Sequence, residues 1–485
     1  MQVQPKPTPP ANALDDRDAP LPGARGALLL LLLINLFNYI DRYVLAAVVD
    51  PLKESLFGHP GATGSSSLDA LQEWCSTHLG FKPELALIGM LSMAFMVIYM
   101  AGAPLFARLA ERRSRWGLIA VGVGLWSLAS GASGLAGTFW ALLLTRCFVG
   151  IGEAAYGPVA PALISDFYPV KIRGRVLAWF YMAIPVGTAL GFALGGAVAG
   201  SKIGEVGARL LGIHAESWRW AFYMVVLPGL ALAAACFFVR DPVQSRRSAD
   251  IPVRSNVDSL PGTELSKNVA ADKNVRAPVR WGDYLVLLRT PSYVLCTLGM
   301  TAMTFAIGGI AFWMPYYLKH RPGSAGQVEV IFGGIVCVAG LVATLLGGIA
   351  GDKLRARISG SYFLVSGIAM LVGFPFMLAM LRAPFPLIWP LIFATCFCLF
   401  FNTGPTNTIL ANVSSPSLRA GAFALNIFIT HAFGDVVSPV IIGLLSDRYD
   451  MTVAFRAVSA MFILSGVLWL AGVSFLKNDT ERAMA

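Results

Sequence analysis

Charged residues are scarce in this sequence. Only 13% of its 485 residues are Asp, Glu, Lys or Arg, about half the share usual in soluble domains. Cysteine is rare too, and of the 7 cysteines only Cys75 lies outside long apolar runs. A lone cysteine outside those runs has no partner there, which excludes a disulfide framework. The composition therefore excludes a soluble domain and a disulfide-stapled scaffold.

Motifs for the common enzyme and nucleotide sites are missing. The sequence has no G-x-x-x-x-G-K-[ST] loop, no H-E-x-x-H and no G-x-S-x-G, and its 5 histidines are scattered. ATP-driven pumping, metal hydrolysis and serine hydrolysis are therefore not expected, nor is any cofactor. No basic stretch alternates with stacking aromatics, so nucleic acid is not expected as a partner. A receptor-like or scaffolding membrane protein remains the non-catalytic alternative.

Long apolar runs dominate what the sequence does contain. The mean hydropathy is +0.66, and apolar residues make up 56% of the chain. Runs of about 20 residues have the length of a membrane-spanning helix. We predict twelve spans, at roughly 27–49, 85–107, 116–137, 140–164, 175–200, 219–239, 292–318, 327–350, 361–381, 386–411, 420–445 and 453–476.

Positive charges are distributed unequally between the two sides of these spans. If the N-terminus is cytoplasmic, the cytoplasmic segments hold 25 of the 37 Lys and Arg residues and the opposite side holds 10. This bias predicts that both termini are cytoplasmic. The net charge of +10 is then explained by topology together with contacts to anionic membrane lipids. We expect a monomer in a bacterial inner membrane, without a cleaved signal peptide.

The two halves of the chain repeat each other. We expect an N-terminal tail at 1–26, a six-helix bundle at 27–239, a polar linker at 240–280, a second six-helix bundle at 281–476 and a C-terminal tail at 477–485. The basic segment 104–115 after span 2 matches 345–357 after span 8. Span 4 carries Gly157-Pro158 where span 10 carries Gly404-Pro405. The sequence therefore predicts a parallel repeat about an axis along the membrane normal.

This plan resembles the major facilitator superfamily over essentially the whole chain. Two motifs, NYIDRY at 38–43 and GIGEA at 150–154, are similar to those of its Spinster family. The resemblance implies an all-α membrane protein with two six-helix bundles that carries lysophospholipids or sphingoid phosphates, with proton coupling proposed for several members. One departure is that Ala107 and Glu111 stand where the superfamily's loop motif usually has Gly and Asp, whereas Gly348 and Asp352 keep the pattern in the second copy.

Three charged residues stand at mid-span. Asp41 and Arg42 are adjacent in span 1, and Glu153 lies in span 4. Charges at this depth are costly unless they face protein or a water-filled cavity. The resemblance places spans 1 and 4 around a central cavity, so we expect Arg42 to pair with Asp41 or Glu153 until an anionic headgroup displaces the acid. Proton coupling is assigned to Asp41 and Glu153, and substrate contact to Arg42 and Glu153; a helix-fixing salt bridge remains the alternative.

Two further polar positions keep two interpretations each. In the superfamily, an Arg near Arg146 is often tied to proton coupling, and a structural contact between spans 1 and 4 is the equal alternative. His431 and Asp435 are four residues apart in span 11 and therefore share one helix face. They are either a second titrating pair or a hydrogen bond that fixes packing.

The remaining site predictions concern gating and the cavity wall. At the cytoplasmic face we expect an ion-pair latch between the halves, made by Glu111, Arg112, Arg115, Asp166, Asp352 and Lys353. A lipid-like anionic substrate needs an apolar wall with a few polar anchors, for which Phe305 and Asn407 are chosen by depth. A small organic anion, such as a sugar phosphate or carboxylate, is the alternative cargo.

Two segments carry structural predictions. Span 5 has small residues at four-residue spacing, at Gly187, Gly191 and Gly195, which should permit close helix packing. In the loop 50–84, apolar residues between Leu68 and Leu79 favour a short helix on the membrane or at a cavity mouth, with a solvated loop as the alternative.

Overall fold

The computed structural model describes residues 19–58, 64–211, 214–239, 281–324, 326–415 and 418–484. The predicted linker at 240–280 and residues 1–18 of the predicted N-terminal tail lie outside the described residues.

Twelve helices in the described residues are long and apolar enough to cross a membrane. Each coincides with one predicted run to within a few residues, which confirms the all-α, twelve-span architecture. We number them α1 to α12: Ala24–Ala47, Glu84–Ala110, Arg115–Leu135, Phe139–Phe167, Arg175–Ala199, Ser217–Phe238, Pro291–Lys319, Val328–Arg355, Ser361–Met380, Ile388–Asn412, Gly421–Arg448 and Met451–Gly472.

Shorter helices connect or flank these spans. They are Val49–Phe57, Ser66–Leu79, Ile203–Leu211, Trp281–Arg289 and Leu476–Met484. We call the end of the bundle at which α1 begins and α12 ends the terminal end, and the opposite end the far end. The loop helix Ser66–Leu79 lies at the far end, because it joins the end of α1 to the start of α2.

Spans α4 and α10 are each broken near their middle. α4 consists of Phe139–Tyr156 and Val159–Phe167, and α10 consists of Ile388–Phe400 and Thr403–Asn412. Pro158 stands at the first break, and proline interrupts a helix because it has no N–H and clashes with the preceding turn. The first break coincides with Gly157-Pro158, and the second comes just before Gly404-Pro405.

The glycines of α5 set the orientation of α1. A Cβ added to Gly187 would lie 2.7 Å from the carbonyl oxygen of Leu36, and one added to Gly191 would lie 2.6 Å from that of Ile40. The two backbones therefore approach more closely than any side chain would permit, which confirms the predicted packing role of these glycines. With Ile40 against α5, Arg42 is turned about 200° away, towards the interior of the first half.

The halves join through two helix pairs, α2 with α11 and α5 with α8. A Cβ on Gly443 of α11 would lie 2.6 Å from the Leu85 carbonyl group of α2, and one on Gly196 of α5 would lie 2.9 Å from the Cβ of Glu329. All four residues lie at the far end. The far end of the bundle is therefore closed by backbone-level contact between the halves.

Candidate functional site

A buried ion pair joins α1 to α4 in the first half. Arg42 Nη2 lies 2.6 Å from Glu153 Oε2, and the side chains are 19% and 1% exposed. The pair therefore stands in a low-dielectric setting, where a charge without a partner is costly. The sequence left Asp41 and Glu153 open as partners of Arg42, and in the structure the partner is Glu153.

Aromatic rings surround the Arg42 guanidinium. Its carbon lies 4.9 Å from the ring centroids of both Tyr39 and Phe95, and 5.7 Å from that of Tyr99. Each ring offers a cation–π contact within the usual 6 Å limit. Arg42 therefore keeps favourable contacts even when its carboxylate partner moves away.

Two glycines bring Glu153 to this position. A Cβ on Gly150 would lie 2.5 Å from the Phe95 carbonyl oxygen, and one on Gly152 would lie 2.6 Å from the Gly122 carbonyl oxygen. α4 can therefore press its backbone against both α2 and α3 only because these two residues lack side chains. The glycines of the segment 150–153 thus permit the close packing that places the Glu153 carboxylate inside the first half.

Asp41 stands beside this pair with its own partner. It is 2% exposed, and Ser130 of α3 donates a hydrogen bond to its Oδ1. Its Oδ2 has no hydrogen-bond partner among the described residues. Asp41 is therefore adjacent to Arg42 in sequence and near the same site, but it is held by a hydroxyl group.

Arg146 is the fourth charge of the cluster. It is 1% exposed, and its Nε and Nη1 have no hydrogen-bond partner in the described part of the chain. The acidic side chains that act on its charge are Asp41 and Glu153. Two positive and two negative side chains thus share the buried interior of the first half, with several polar atoms left for a proton, water or ligand. Both interpretations of Arg146 stay open.

The second half contributes one titratable pair. His431 Nδ1 lies 2.9 and 3.0 Å from the two carboxylate oxygens of Asp435, which confirms that the side chains meet. Asp435 also acts electrostatically on Tyr39 and Tyr43 of α1, so it faces the first half. Whether the pair titrates during transport stays a prediction.

The two wall residues chosen by depth make other contacts than the ion pair. Phe305 is half-buried and packs against the core that runs through both halves. Asn407 is exposed, and its side-chain amide donates to the Thr403 carbonyl oxygen over 2.7 Å. In the described residues neither makes a hydrogen bond or ring contact with Arg42 or Glu153. Their substrate role stays a prediction.

The residues expected to latch the terminal end are paired within their own halves. Arg115 Nη1 lies 2.5 Å from Asp166 Oδ2 in the first half, and the Tyr362 hydroxyl donates to Asp352 over 2.7 Å in the second. Within residues 19–239 and 281–484, as far as the structure describes them, no ion pair joins the halves at this end.

The contacts that the structure shows for Arg115, Asp166 and Asp352 in this conformation thus lie within single halves, and the latch between the halves stays a prediction. Arg112 and Lys353 are exposed, and the Glu111 side chain is outside what the structure describes.

Ionic contacts between the halves occur at the far end, for which the sequence predicts no latch. Asp50, beyond α1, lies 3.9 Å from Lys319 Nζ and 3.6 Å from His320 Nε2 at the end of α7. Lys319 also pairs with Glu329 of α8. The repeat could have revealed this site, since α1 and α7 hold equivalent places in their halves.

A second polar contact closes the same end. Asp447 of α11 accepts hydrogen bonds from the backbone N–H groups of Leu85 and Ala86, over 3.0 and 2.9 Å. These groups belong to the first turn of α2, where helix geometry supplies no partner for them within the helix. The far end is thus held by both ionic and capping interactions between the halves.

Comparison with known proteins decides the family. The sequence profile of the Major Facilitator Superfamily matches residues 31–434. Human Protein spinster homolog 1 is 31% identical over 95% of this chain and 83% of its own length. The chain belongs to the Spinster family of the major facilitator superfamily. Family membership confirms the prediction of a multi-pass transporter and not an enzyme.

Other Spinster relatives and two solved structures agree. Probable sphingolipid transporter spinster homolog 1 of Arabidopsis thaliana is 27% identical over 94% of this chain and 89% of its own. A crystal structure of a bacterial homolog to the human lysosomal transporter Spinster, inward-facing and unoccupied, has a TM-score of 0.70 at 20% identity, covering 96% of this chain and 98% of that one. The inward-open xylose transporter XylE from E. coli has a TM-score of 0.69 at 15% identity, covering 95% and 100%. At these identities the two structures support the fold alone.

Proposed function

We propose that this protein is a proton-coupled carrier that moves a lysophospholipid or a sphingoid phosphate across the membrane by alternating access. The observation that carries the proposal is the buried Arg42–Glu153 pair, with its aromatic surround. A fixed positive charge next to an acid that can be neutralised is what an exchange of a proton and an anion requires.

Arg42 is the anion-binding group in this proposal. A guanidinium is always charged and binds phosphate oxygens in a bidentate manner. Tyr39, Phe95 and Tyr99 keep it in place when Glu153 is displaced. The name of the Arabidopsis relative, a probable sphingolipid transporter, supports a lipid phosphate over other anions.

Glu153 and Asp41 carry the proton in this proposal. When a phosphate group takes the place of Glu153 at Arg42, the carboxylate is left buried without its ion-pair partner. Burial disfavours the charged form of an unpaired carboxylate, so Glu153 takes up a proton. Asp41 lies nearby and has an oxygen without a hydrogen-bond partner among the described residues, so it can pass the proton to or from Glu153. Arg146 acts on the charge of both carboxylates.

The conformation supports access from the terminal end. Contacts between the halves occur at the far end, whereas Arg115–Asp166 and Tyr362–Asp352 lie within single halves. With both termini cytoplasmic, as the positive-inside bias predicts, the site is reached from the cytoplasm of a bacterial inner membrane. The terminal-end residues would join the halves in the opposite state.

Flux into proteoliposomes with an imposed pH gradient tests the proposal. Labelled sphingosine phosphate and lysophosphatidylethanolamine are offered to the parent, Arg42→Ala and Glu153→Gln. Exposed Arg456→Ala and Glu205→Gln provide controls matched in charge. We expect saturable, gradient-dependent flux that both site variants lose and both controls keep. Absence of lipid flux in a verified reconstitution, with flux of a sugar phosphate, would overturn the lipid assignment.

A further inference from the structure

The loop helix Ser66–Leu79 at the far end has one face packed against the protein. Leu68, Gln72 and Cys75 are 3%, 9% and 7% exposed. Their spacing of four and three residues defines a single helix face. The helix predicted from sequence is therefore confirmed, and Leu68, taken there as part of a membrane or cavity-mouth surface, belongs to the buried core.

A second stripe of the same helix is apolar and uncovered. Leu71 and Trp74 are 44% and 52% exposed, and the His78 ring stacks on Trp74 at a centroid distance of 4.8 Å. Residues 71, 74 and 78 follow one another at helical spacing on one flank. Glu73 and Thr77 are exposed on another side. The helix is thus amphipathic beyond what its packing in the protein uses.

Trp140 indicates the level of the loop helix relative to the membrane. It lies in the first turn of α4, is 48% exposed and donates a hydrogen bond from Nε1 to Ser65 Oγ, at the start of the loop helix. Leu144 and Phe148 follow it at four-residue spacing and are 58% and 43% exposed. This row is the lipid-facing side of a membrane-spanning helix, and Trp140 occupies its far-end limit, where tryptophan is enriched at the membrane interface.

We propose that the Leu71–Trp74–His78 stripe binds the lipid headgroup region of the far-end leaflet. The tie between Ser65 and Trp140 fixes the helix at the level of the interface. An amphipathic helix at that depth lies in the plane of the membrane, with its apolar stripe among the headgroups and its polar side in water. The loop helix then anchors the first half to the leaflet and moves together with that half.

Accessibility measurements on single spin labels test this proposal. A genetically encoded ketone amino acid placed at 71, 73, 74 or 77 reacts with a hydroxylamine nitroxide and leaves the native cysteines unlabelled. Each variant is the full chain, reconstituted in vesicles of phosphatidylethanolamine and phosphatidylglycerol. A high collision rate of the label with oxygen indicates that it lies in lipid, because oxygen concentrates there. A high collision rate with a water-soluble nickel complex indicates that the label lies in water. The label at 71 keeps Trp74 intact, so loss of that anchor cannot explain the result.

We expect labels at 71 and 74 to show an oxygen-to-nickel ratio several-fold higher than labels at 73 and 77. Equal, high nickel collision at all four positions would overturn the proposal in favour of a solvated helix. Low collision with both reagents at 71 and 74 would also overturn it, by indicating a protein partner on this flank. Thermal unfolding of each variant identifies any label that disturbs the fold, and the remaining labels then decide the question.

Discussion

Span α4 carries two arginine–carboxylate pairs of nearly equal length in different surroundings. Glu153 pairs with Arg42 at 2.6 Å near the middle of the span, and Asp166 pairs with Arg115 at 2.5 Å at its terminal end. The Glu153 side chain is 1% exposed, whereas that of Asp166 is 37% exposed. Geometry alone therefore does not distinguish a functional pair from a structural one.

Burial separates their energetic roles. Removing one partner of a buried pair leaves an uncompensated charge and costs about 3–5 kcal/mol, while a surface pair contributes about 0–1 kcal/mol. Stability alone therefore does not account for a buried pair at this place. The proposed function gives it a role, because its two charges would exchange partners with a proton and an anion during transport.

The largest expected effect separates the two carboxylates by function. Glu153→Gln should lower pH-driven lipid uptake by at least ~10-fold, which corresponds to about 1.4 kcal/mol, because the amide cannot take up a proton. Asp166→Asn should lower it less, because Glu153 can still take up a proton and only the balance between the two conformations is altered. Initial rates in proteoliposomes measure both. Equal losses in the two variants would break the distinction.

The second effect separates the two arginines by stability. Arg42→Ala should lower the free energy of unfolding by about 3 kcal/mol, because Glu153 is then buried without its ion-pair partner. Arg115→Ala should lower it by less than about 1 kcal/mol. Thermal unfolding in detergent, followed by tryptophan fluorescence, compares them. A larger loss for Arg115→Ala would contradict the account.

The third effect tests how Glu153 is positioned. A Cβ on Gly152 would lie 2.6 Å from the Gly122 carbonyl oxygen, so Gly152→Ala should cost about 1–3 kcal/mol and reduce uptake by moving Glu153. Gly348→Ala is the matched control, because nothing lies within 4 Å of its added Cβ and the first repeat has Ala107 there. Parent-like stability and uptake in Gly152→Ala would show that close backbone packing does not place the carboxylate.

The smallest effect concerns a carboxylate outside the spans. Burial raises the pKa of Asp50, with His320, Lys319 and Lys53 acting in the opposite direction and Glu329 in the same one. Burial of the Asp50 charge therefore outweighs its attraction to Lys319 and His320, and the carboxyl group binds a proton more tightly in the closed arrangement than in water, so acidification should favour far-end closure.

Acidification should change the ratio of far-end-closed to far-end-open molecules by less than ~10-fold. Asp50→Asn should remove the part of this change that is due to Asp50. Distances between spin labels placed on the two halves at the far end, measured between pH 4 and 7, report the ratio of closed to open molecules. An undiminished pH dependence in Asp50→Asn would assign the effect to another group.

Sequence reasoning succeeded where one pattern had one physical meaning. Twelve apolar runs became twelve spans, because a helix is the only form in which a single chain segment satisfies its backbone in lipid. The costly mid-span charges Arg42 and Glu153 met each other, since few other partners exist at that depth. The α5 glycines at 187 and 191 packed against α1, as small residues at four-residue spacing predict.

Sequence reasoning failed where the outcome depends on conformation. Arg115 and Asp166 could pair within the half or across it, and composition does not say which end of a two-state carrier is closed. Asp50 and His320 lie just beyond the ends of α1 and α7, and only the equivalence of these two spans in the repeat could have linked them. Ser130 reached Asp41 from a helix whose rotation no motif specified.

Proton uptake on ligand binding tests the central claim most directly. Sphingosine phosphate is added to purified protein in weakly buffered micelles, and a pH-indicating dye counts the protons taken up per bound ligand. The account predicts about one proton for the parent and for Asp166→Asn, and none for Glu153→Gln, because the phosphate displaces Glu153 from Arg42. Saturable binding to the parent without proton uptake would contradict the exchange at the Arg42–Glu153 pair.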